Sequence, residues 1–247
     1  MAITGAAGLL AAWESGLGEG PTGRALLLHR TARPDVEASR LPVVPVGERE
    51  ADLFALRRAL FGERMQVRLE CHACGEDMEF DLDAGELARS LGGSSPVEAV
   101  EAAVRVQQDG WHVEFRLPGV ADLDAAARSA DPRAALLARC LVSAERDGTA
   151  VPAGELPASV QRRIAEAVEA ADPGADLTLN VACPECGAAT PAELDIASYL
   201  WTELDAWARD VLLDVHLLAT AYGWSEPEIL ALSPTRRRYY LELCADV

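Results

Sequence analysis

The sequence contains no lysine. All 22 basic residues are arginine, and 40 aspartates and glutamates outnumber them, which gives a formal net charge of −18 at pH 7. A protein whose main ligand is nucleic acid needs clustered cations to displace the counterions of the phosphate backbone. This charge balance therefore argues against nucleic-acid binding as the main role.

Long apolar runs are also missing. No stretch approaches the roughly 20 apolar residues needed to span a bilayer, and Met1–Gly5 has no basic region ahead of an apolar stretch, as a secretory signal would have. Aromatic residues make up only 5% of the chain, but hydrophobic residues make up 50%, which is too many for a disordered acidic tail. We therefore expect a soluble, intracellular, folded protein whose core consists mainly of Ala, Leu and Val.

Motifs of common enzyme classes are absent as well. The sequence has no glycine-rich phosphate loop, no Gly-x-Ser-x-Gly elbow and no His-Glu-x-x-His motif. Its four histidines are scattered at positions 29, 72, 112 and 216, which leaves little material for a histidine proton relay. The sequence therefore predicts a protein that is not an enzyme.

Four of the six cysteines form two C-x-x-C-G pairs, the first of Cys71 and Cys74 and the second of Cys183 and Cys186. A C-x-x-C turn places two thiolates on one side of a tight loop, and the glycine after it allows a sharp turn. Each pair follows an alternating, strand-like run and precedes a short acidic and apolar segment, so we expect one knuckle-bearing hairpin used twice. Together the two pairs predict a structural Zn(Cys)₄ site with Zn²⁺ as its cofactor.

Other roles for these cysteines have less support in the sequence. A redox C-x-x-C pair usually begins a helix within a βαβ pattern, which neither pair does, and disulfides are not expected in a chain without an export signal. A metal-dependent hydrolase would need an open zinc position and usually a His or carboxylate ligand. We expect His72 to be a solvated neighbour of the site. Because 108 residues separate Cys74 from Cys183, the fold must bring distant segments together, and separate or redox roles for the two pairs stay open.

The remaining sequence has mainly helical periodicity. Helices are predicted over 6–17, 21–33, 47–61, 121–130, 134–146, 159–171 and 200–222, with a short helix after Ser225 and a last one from Ser233. Asp109-Gly110, between alternating apolar residues, predicts a β-hairpin over 104–117. Leu91–Pro96 is predicted to be a flexible joint.

These patterns predict an α+β, mostly helical fold, with two knuckle-bearing β-hairpins joined by a zinc site and a C-terminal helical segment. The predicted parts are an N-terminal helical segment (1–62), the first zinc-knuckle hairpin (63–90), an insert with a β-hairpin and helices (91–175), the second zinc-knuckle hairpin (176–197) and the C-terminal helices (198–247).

The C-terminal helices carry the candidate partner-binding residues, because aromatic and arginine side chains dominate protein interfaces. They are Trp207, Trp224, Arg236, Arg237, Arg238 and Tyr239. The alternative interpretations are structural: the tryptophan-containing helix forms part of the core, and the arginine run is a solvated helix face. In so acidic a protein, the arginine run could instead dock an acidic partner.

Several motifs together resemble a known family. In chain order they are Trp13–Gly18, the two C-x-x-C-G knuckles, Leu204–Trp207, Tyr222–Ser233 and Arg236–Tyr239. The chain is similar to small baseplate or hub-assembly proteins of contractile phage tails and extracellular contractile injection systems, the T-even-phage-type baseplate hub assembly (chaperone) group. The stretch YGWSEPEIL is also similar to short motifs in phage tail assembly chaperones. The resemblance implies a non-enzymatic role in forming the baseplate, with other baseplate, hub and tail proteins as partners and assembly in the cytoplasm.

The leading prediction is therefore a zinc-stapled structural component or assembly factor of a contractile baseplate, with no membrane partner. The alternative is a zinc-ribbon nucleic-acid or transcription-associated protein, since paired C-x-x-C-G knuckles are common in that class. Acidic neighbours of the knuckles, among them Glu76, Asp77 and Glu185, favour the first hypothesis.

Overall fold

The structure is a computed structural model that describes residues 5–90 and 103–245, so the predicted joint over 91–96 lies outside the described residues. The helices are α1 (Ala6–Gly16), α2 (Pro21–Ala32), α3 (Val46–Phe61), α4 (Ala84–Ser90), α5 (Val120–Ala127), α6 (Pro132–Cys140), α7 (Ala158–Ala171), α8 (Ile196–Tyr222), α9 (Glu226–Leu230) and α10 (Pro234–Ala245). The strands are β1 (Arg64–Glu70), β2 (Asp77–Asp83), β3 (Ala103–Gln108), β4 (Trp111–Arg116), β5 (Leu141–Arg146), β6 (Thr149–Ala150), β7 (Thr178–Ala182) and β8 (Ala189–Glu193). The predicted α+β, mostly helical fold is confirmed. None of the helices described here has the length and apolarity that crossing a membrane requires.

The chain forms two compact units. One combines the N-terminal residues through Pro34 with the C-terminal residues from Ala197, and the other runs from Asp35 to Ile196. Both C-x-x-C pairs belong to the second unit. There the hairpins β1–β2 and β7–β8 are separate two-stranded antiparallel sheets, and β3–β4–β5–β6 form an antiparallel sheet in that order.

The predicted hairpin around Asp109-Gly110 is confirmed as β3–β4. Asp109 and Gly110 take positive φ values of 49° and 81°, which a tight two-residue turn requires. Trp111, Val113 and Phe115 alternate along β4 and are buried beneath Val160 and Ile164 of α7. The four-stranded sheet therefore has its own core, which α7 covers.

The single helix predicted over 134–146 is wrong. Helix α6 ends at Cys140, and Leu141 begins strand β5, which pairs with β4 and buries Ala144 in the core of the sheet. Pairing with β4 outweighs the local helical propensity of this segment. The overlooked signal is a second Asp-Gly pair, Asp147-Gly148, whose positive φ values of 48° and 81° turn the chain into β6. Helix α4, at the end of the first hairpin, was also not predicted.

A buried carboxylate ties three elements of this unit together. Asp122, in the first turn of α5, accepts hydrogen bonds from both terminal nitrogens of Arg116 at 2.5 and 2.7 Å and from Nε of Arg139 at 3.0 Å. It also accepts from the backbone N–H of Gly119 at 3.1 Å. Because Arg116 ends β4 and Arg139 lies in α6, this one side chain joins the sheet to both helices.

The second unit contains an internal repeat with a constant spacing of 112 positions. Helix α3 begins at Val46 and α7 at Ala158, each preceded by a proline at the N-cap. The first strands end at Glu70 and Ala182, and the following helices begin at Ala84 and Ile196, again 112 positions apart. The knuckle-bearing hairpin, which was expected to occur twice, is therefore part of a longer repeated module. Each module consists of a helix, a knuckle-bearing hairpin and the start of a second helix; the first module begins with α3 and the second with α7.

Helix α3 approaches the second module closely at Gly47. The backbone N–H of Gly47 donates to Oδ2 of Asp172 at 3.0 Å, which satisfies one of the helix's first N–H groups. A Cβ atom on Gly47 would overlap the Asp172 carboxylate and would lie 3.0 Å from the backbone nitrogen of Ala175. Only glycine fits this contact without a shift of the turn.

Gly47→Ala is expected to destabilise the protein by about 1–3 kcal/mol, because the added methyl group overpacks the contact and displaces a carboxylate that accepts a backbone hydrogen bond. Urea denaturation of the wild type and the variant measures the change. Gly154→Ala is the matched control, since a Cβ there meets nothing within 4 Å. Equal stability of the two variants would contradict the close-packing explanation.

Candidate metal centre

The two knuckles have the same local backbone structure. In the first, the N–H of Gly75 donates to the carbonyl of Cys71 at 2.8 Å, and in the second the N–H of Gly187 donates to that of Cys183 at 2.9 Å. The glycines take φ values of 76° and 74°, in the left-handed region that other residues rarely adopt. Each loop is thereby held with both of its cysteine side chains directed to the same place.

The four sulfurs form one cluster. The Sγ atoms of Cys71 and Cys186 are 3.7 Å apart, as are those of Cys74 and Cys183, and all four lie within 4.8 Å of one another. Zn–S bonds of about 2.3 Å in a tetrahedron place neighbouring sulfurs about 3.8 Å apart. Both 3.7 Å distances join a cysteine of one knuckle to a cysteine of the other, so each module supplies half of a single four-sulfur site. The structure brings together the same four cysteines that the sequence predicts as one site.

Local hydrogen bonds favour the ionised form of one ligand. The backbone N–H groups of Ala73 and Cys74 donate to the Cys71 sulfur and lower the pKa of that thiol to about 6. At Cys74, the N–H of Glu76 also acts to lower the pKa, but the neighbouring sulfurs of Cys186 and Cys71 outweigh it and raise the pKa to about 12. Four thiolates this close repel one another unless a cation lies between them, which is the charge that a bound metal supplies.

A threonine that the sequence analysis missed supports the cluster. Thr190 is buried, and its hydroxyl lies 3.7 Å from Sγ of Cys71 and 3.1 Å from Nδ1 of His72. It stands seven positions after Cys183, as Met78 stands seven positions after Cys71, and both are buried at the site. His72 itself is exposed, and the metal-ligand cluster in the described residues consists of the four cysteines without it.

The donor set fits a closed structural site. Four cysteine sulfurs complete a tetrahedral shell, whereas a catalytic zinc keeps one position for water. Cys71 and Cys183 are buried and Cys74 and Cys186 are exposed, so the cluster lies at the edge of the unit. A metal ion bound by these four thiolates would therefore cross-link the two modules.

The candidate partner-binding residues, all in the first unit, have different environments. Arg237 is buried, and its Nε donates to Asp214 at 2.9 Å. Trp224 is half-buried and stacks on Tyr222, with ring centroids 4.7 Å apart. Both have contacts within their own unit, and Trp207 is also half-buried.

Other members of the set are open to solvent. Tyr239 is 65% exposed, Arg236 is exposed, and Arg238 pairs with Glu242 on the outer face of α10. Binding by these six residues stays a prediction, and the geometry favours Arg236, Arg238 and Tyr239 as the available ones.

The chain matches the model of a known protein family. Residues 27–199 match the model of a family described as T4 bacteriophage base plate protein. The match covers more than two thirds of the 247 residues and includes both knuckles. No curated protein and no solved structure matches the chain.

Proposed function

This chain belongs to the T4 bacteriophage base plate protein family, and from that premise we propose that it is a non-enzymatic structural component or assembly factor of the baseplate of a contractile injection system or phage-like tail. Its partners are then other baseplate, hub or tail subunits, and assembly takes place in the cytoplasm. The hub-assembly chaperone role implied by the resemblance of its motifs belongs to the same proposal.

The observation that carries the proposal is the four-sulfur cluster within the family match. A closed site offers a metal no open position for catalysis but joins segments that lie 112 positions apart in the chain. A baseplate subunit must hold its surfaces in fixed relative positions while neighbours bind to them. A cross-link between the two modules supports that role.

We propose Zn²⁺ as the bound metal. Tetrahedral sites of four sulfurs select zinc or iron, and zinc undergoes no redox change, which suits a structural cross-link. Metal analysis of the purified protein is expected to give one zinc per chain and a colourless solution. Replacement by Co²⁺ should give the absorption of a tetrahedral four-sulfur site, whereas a coloured iron-containing protein would overturn the assignment.

The role itself is tested with the other baseplate subunits of the same particle. Each is expressed together with this chain, and the complexes are examined by size-exclusion chromatography. We expect stoichiometric binding to at least one subunit, and failure of the baseplate to assemble when this chain is omitted. If no subunit binds and assembly proceeds normally without the chain, the proposal is wrong.

The exposed side of α10 is a proposed contact in this role. Arg236, Tyr239 and Leu243 follow one another at helical spacings of three and four residues, and all three are exposed. An arginine beside an aromatic side chain is a typical interface anchor for an acidic partner surface. The acidic residues beside the knuckles support the view that nucleic acid is not the main ligand.

A further inference from the structure

The repeat shows that equivalent helix faces have different surroundings in the two modules. Helix α3 buries one face of large and charged side chains, at Val46, Glu50, Leu53, Phe54 and Arg57. Helix α4 and the turn Pro173–Ala175 both pack against α3. In the first module, this face is therefore part of the interior.

In α7, the five equivalent positions are all exposed. Moving 112 positions along the chain gives Ala158, Arg162, Ala165, Glu166 and Glu169, and each is open to solvent. The small or charged residue types at these positions agree with that exposure.

Helix α7 instead buries its other side. Val160 and Ile164 pack into the core of the four-stranded sheet, and Val160 lies roughly 200° around the helix from Ala158. The inserted sheet therefore covers the side of α7 opposite to these five positions. The face that is buried in α3 is exposed at the equivalent positions of α7.

These outward positions line an open groove. All five belong to a groove with a volume of about 1220 Å³ between α6, α7 and the turn after α7. Its apolar lining includes Leu136 and Leu137 of α6 and Val168 of α7, which are partly buried, and Phe115 of β4. The alanines of α7 leave room for a close approach by another helix.

The charges along the groove are mainly acidic. Four carboxylates and two arginines line it. Glu166 is paired with Arg163 and Asp172 with the N–H of Gly47. Glu169 and Asp176, which also accepts a hydrogen bond from the Thr178 hydroxyl at 3.0 Å, can pair with a basic side chain on whatever fills the groove. Arg133 and Arg162 can pair with an acidic one.

We propose that this groove binds an amphipathic helix of another baseplate subunit, with apolar side chains against Leu136, Leu137 and Ala165 and a basic side chain against Glu169 and Asp176. The choice of partner rests on the proposed function. The choice of a helix rests on the repeat, because helix α4 packs against α3 in the first module, whereas its repeat counterpart α8 belongs from Ala197 onward to the other unit. Laying an apolar helix face into a groove is a common recognition mode.

The probes are the other baseplate subunits of the particle, each purified and titrated against the full-length, metal-loaded chain. Ala165→Trp fills the groove and is expected to weaken binding of one subunit by roughly tenfold or more. Glu169→Lys should weaken the same complex less, and more at low than at high salt. The matched control is Ala138→Trp, an exposed alanine of α6 outside the groove, which should leave the affinity unchanged.

Hydrogen exchange in the complex gives an independent readout. Peptides covering 132–140 and 158–171 should become protected when the subunit binds. If a subunit binds but neither Ala165→Trp nor these peptides respond, the groove proposal is wrong while the baseplate role stands. If no subunit binds, both fail, and if the chain self-associates through the groove in sedimentation experiments, the occupant is a second copy and the proposal is overturned.

Discussion

Replacing Cys71 or Cys183 by serine is expected to abolish metal binding and to unfold the second unit under conditions in which the wild type is stable. Structural zinc sites contribute on the order of 10 kcal/mol in small domains, which is comparable to the whole stability of a typical domain. Each knuckle supplies only two sulfurs, so losing one leaves three ligands and a broken cross-link between modules. Metal analysis together with thermal unfolding measures both effects on the same sample.

Cys140→Ala is the control for this experiment. Cys140 is as deeply buried as Cys71 but lies in the core of the four-stranded sheet and outside the four-sulfur cluster. The variant should keep its metal and lose about 1–2 kcal/mol, as expected for a small core truncation. A zinc chelator should destabilise the wild type and Cys140→Ala alike. If Cys183→Ser retained a full equivalent of metal and the wild-type melting temperature, the cross-link would not exist.

The clustering of the four cysteines could be predicted from the sequence because the structure of each knuckle is local. A C-x-x-C-G knuckle needs only five neighbouring residues to form its turn, and both knuckles are intact in the sequence. What looked like an obstacle, the 108 residues between Cys74 and Cys183, follows from the repeat. Each module forms its own knuckle, and the two knuckles are far apart in the chain because helices α5 and α6 and the four-stranded sheet are inserted between the modules.

Features that depend on tertiary contacts could not be predicted in the same way. Thr190 has no local signal beyond its position in the second hairpin, and its role follows from contacts with Cys71 and His72, more than 100 residues away. The boundary between α6 and β5 was missed for a similar reason, since Leu141–Arg146 becomes a strand through pairing with β4. Only the turn at Asp147-Gly148 could have indicated it.

The exposure of α7 also lay beyond the sequence pattern. Val160 and Ile164 are spaced as one apolar helix face, which predicts a helix but does not say what covers it. The face of the repeat that α3 buries is the opposite one, and this difference depends on tertiary contacts of the two modules. The residues on the outward face of α7 are small or charged, as on an ordinary solvated surface, so the sequence does not distinguish the two.

The second large effect is expected at Asp122, which is fully buried and holds Arg116 and Arg139. Asp122→Asn keeps the shape of the side chain but removes the charge that both guanidinium groups face. The side chains of Arg116 and Arg139 are 37% and 43% exposed, so water partly compensates both guanidinium groups for the lost charge. The change should therefore cost about 2–3 kcal/mol, less than the loss of a fully buried ion pair, and chemical denaturation at pH 7 should show a loss of that size. Asp124→Asn is the control, because Asp124 pairs with Arg128 on the exposed side of the same helix and should cost less than about 1 kcal/mol.

The pKa of Asp122 predicts how the stability difference between the wild type and Asp122→Asn depends on pH. Burial acts to raise the pKa of Asp122, but hydrogen bonds from Arg116 and the N–H of Gly119 outweigh it and lower the pKa to about 2, from 3.8 for an ordinary aspartate. A group whose pKa is lower in the folded state stabilises the fold above its unfolded pKa and loses that contribution as the pH falls through the folded value. The stability difference between wild type and Asp122→Asn should therefore be constant from neutral pH to about pH 5 and should shrink between about pH 4 and pH 2. Because protonation of the cysteine ligands affects both proteins equally, comparing the two at each pH isolates Asp122. A difference that stayed constant down to pH 2 would show that the charge of Asp122 does not hold these helices to the sheet.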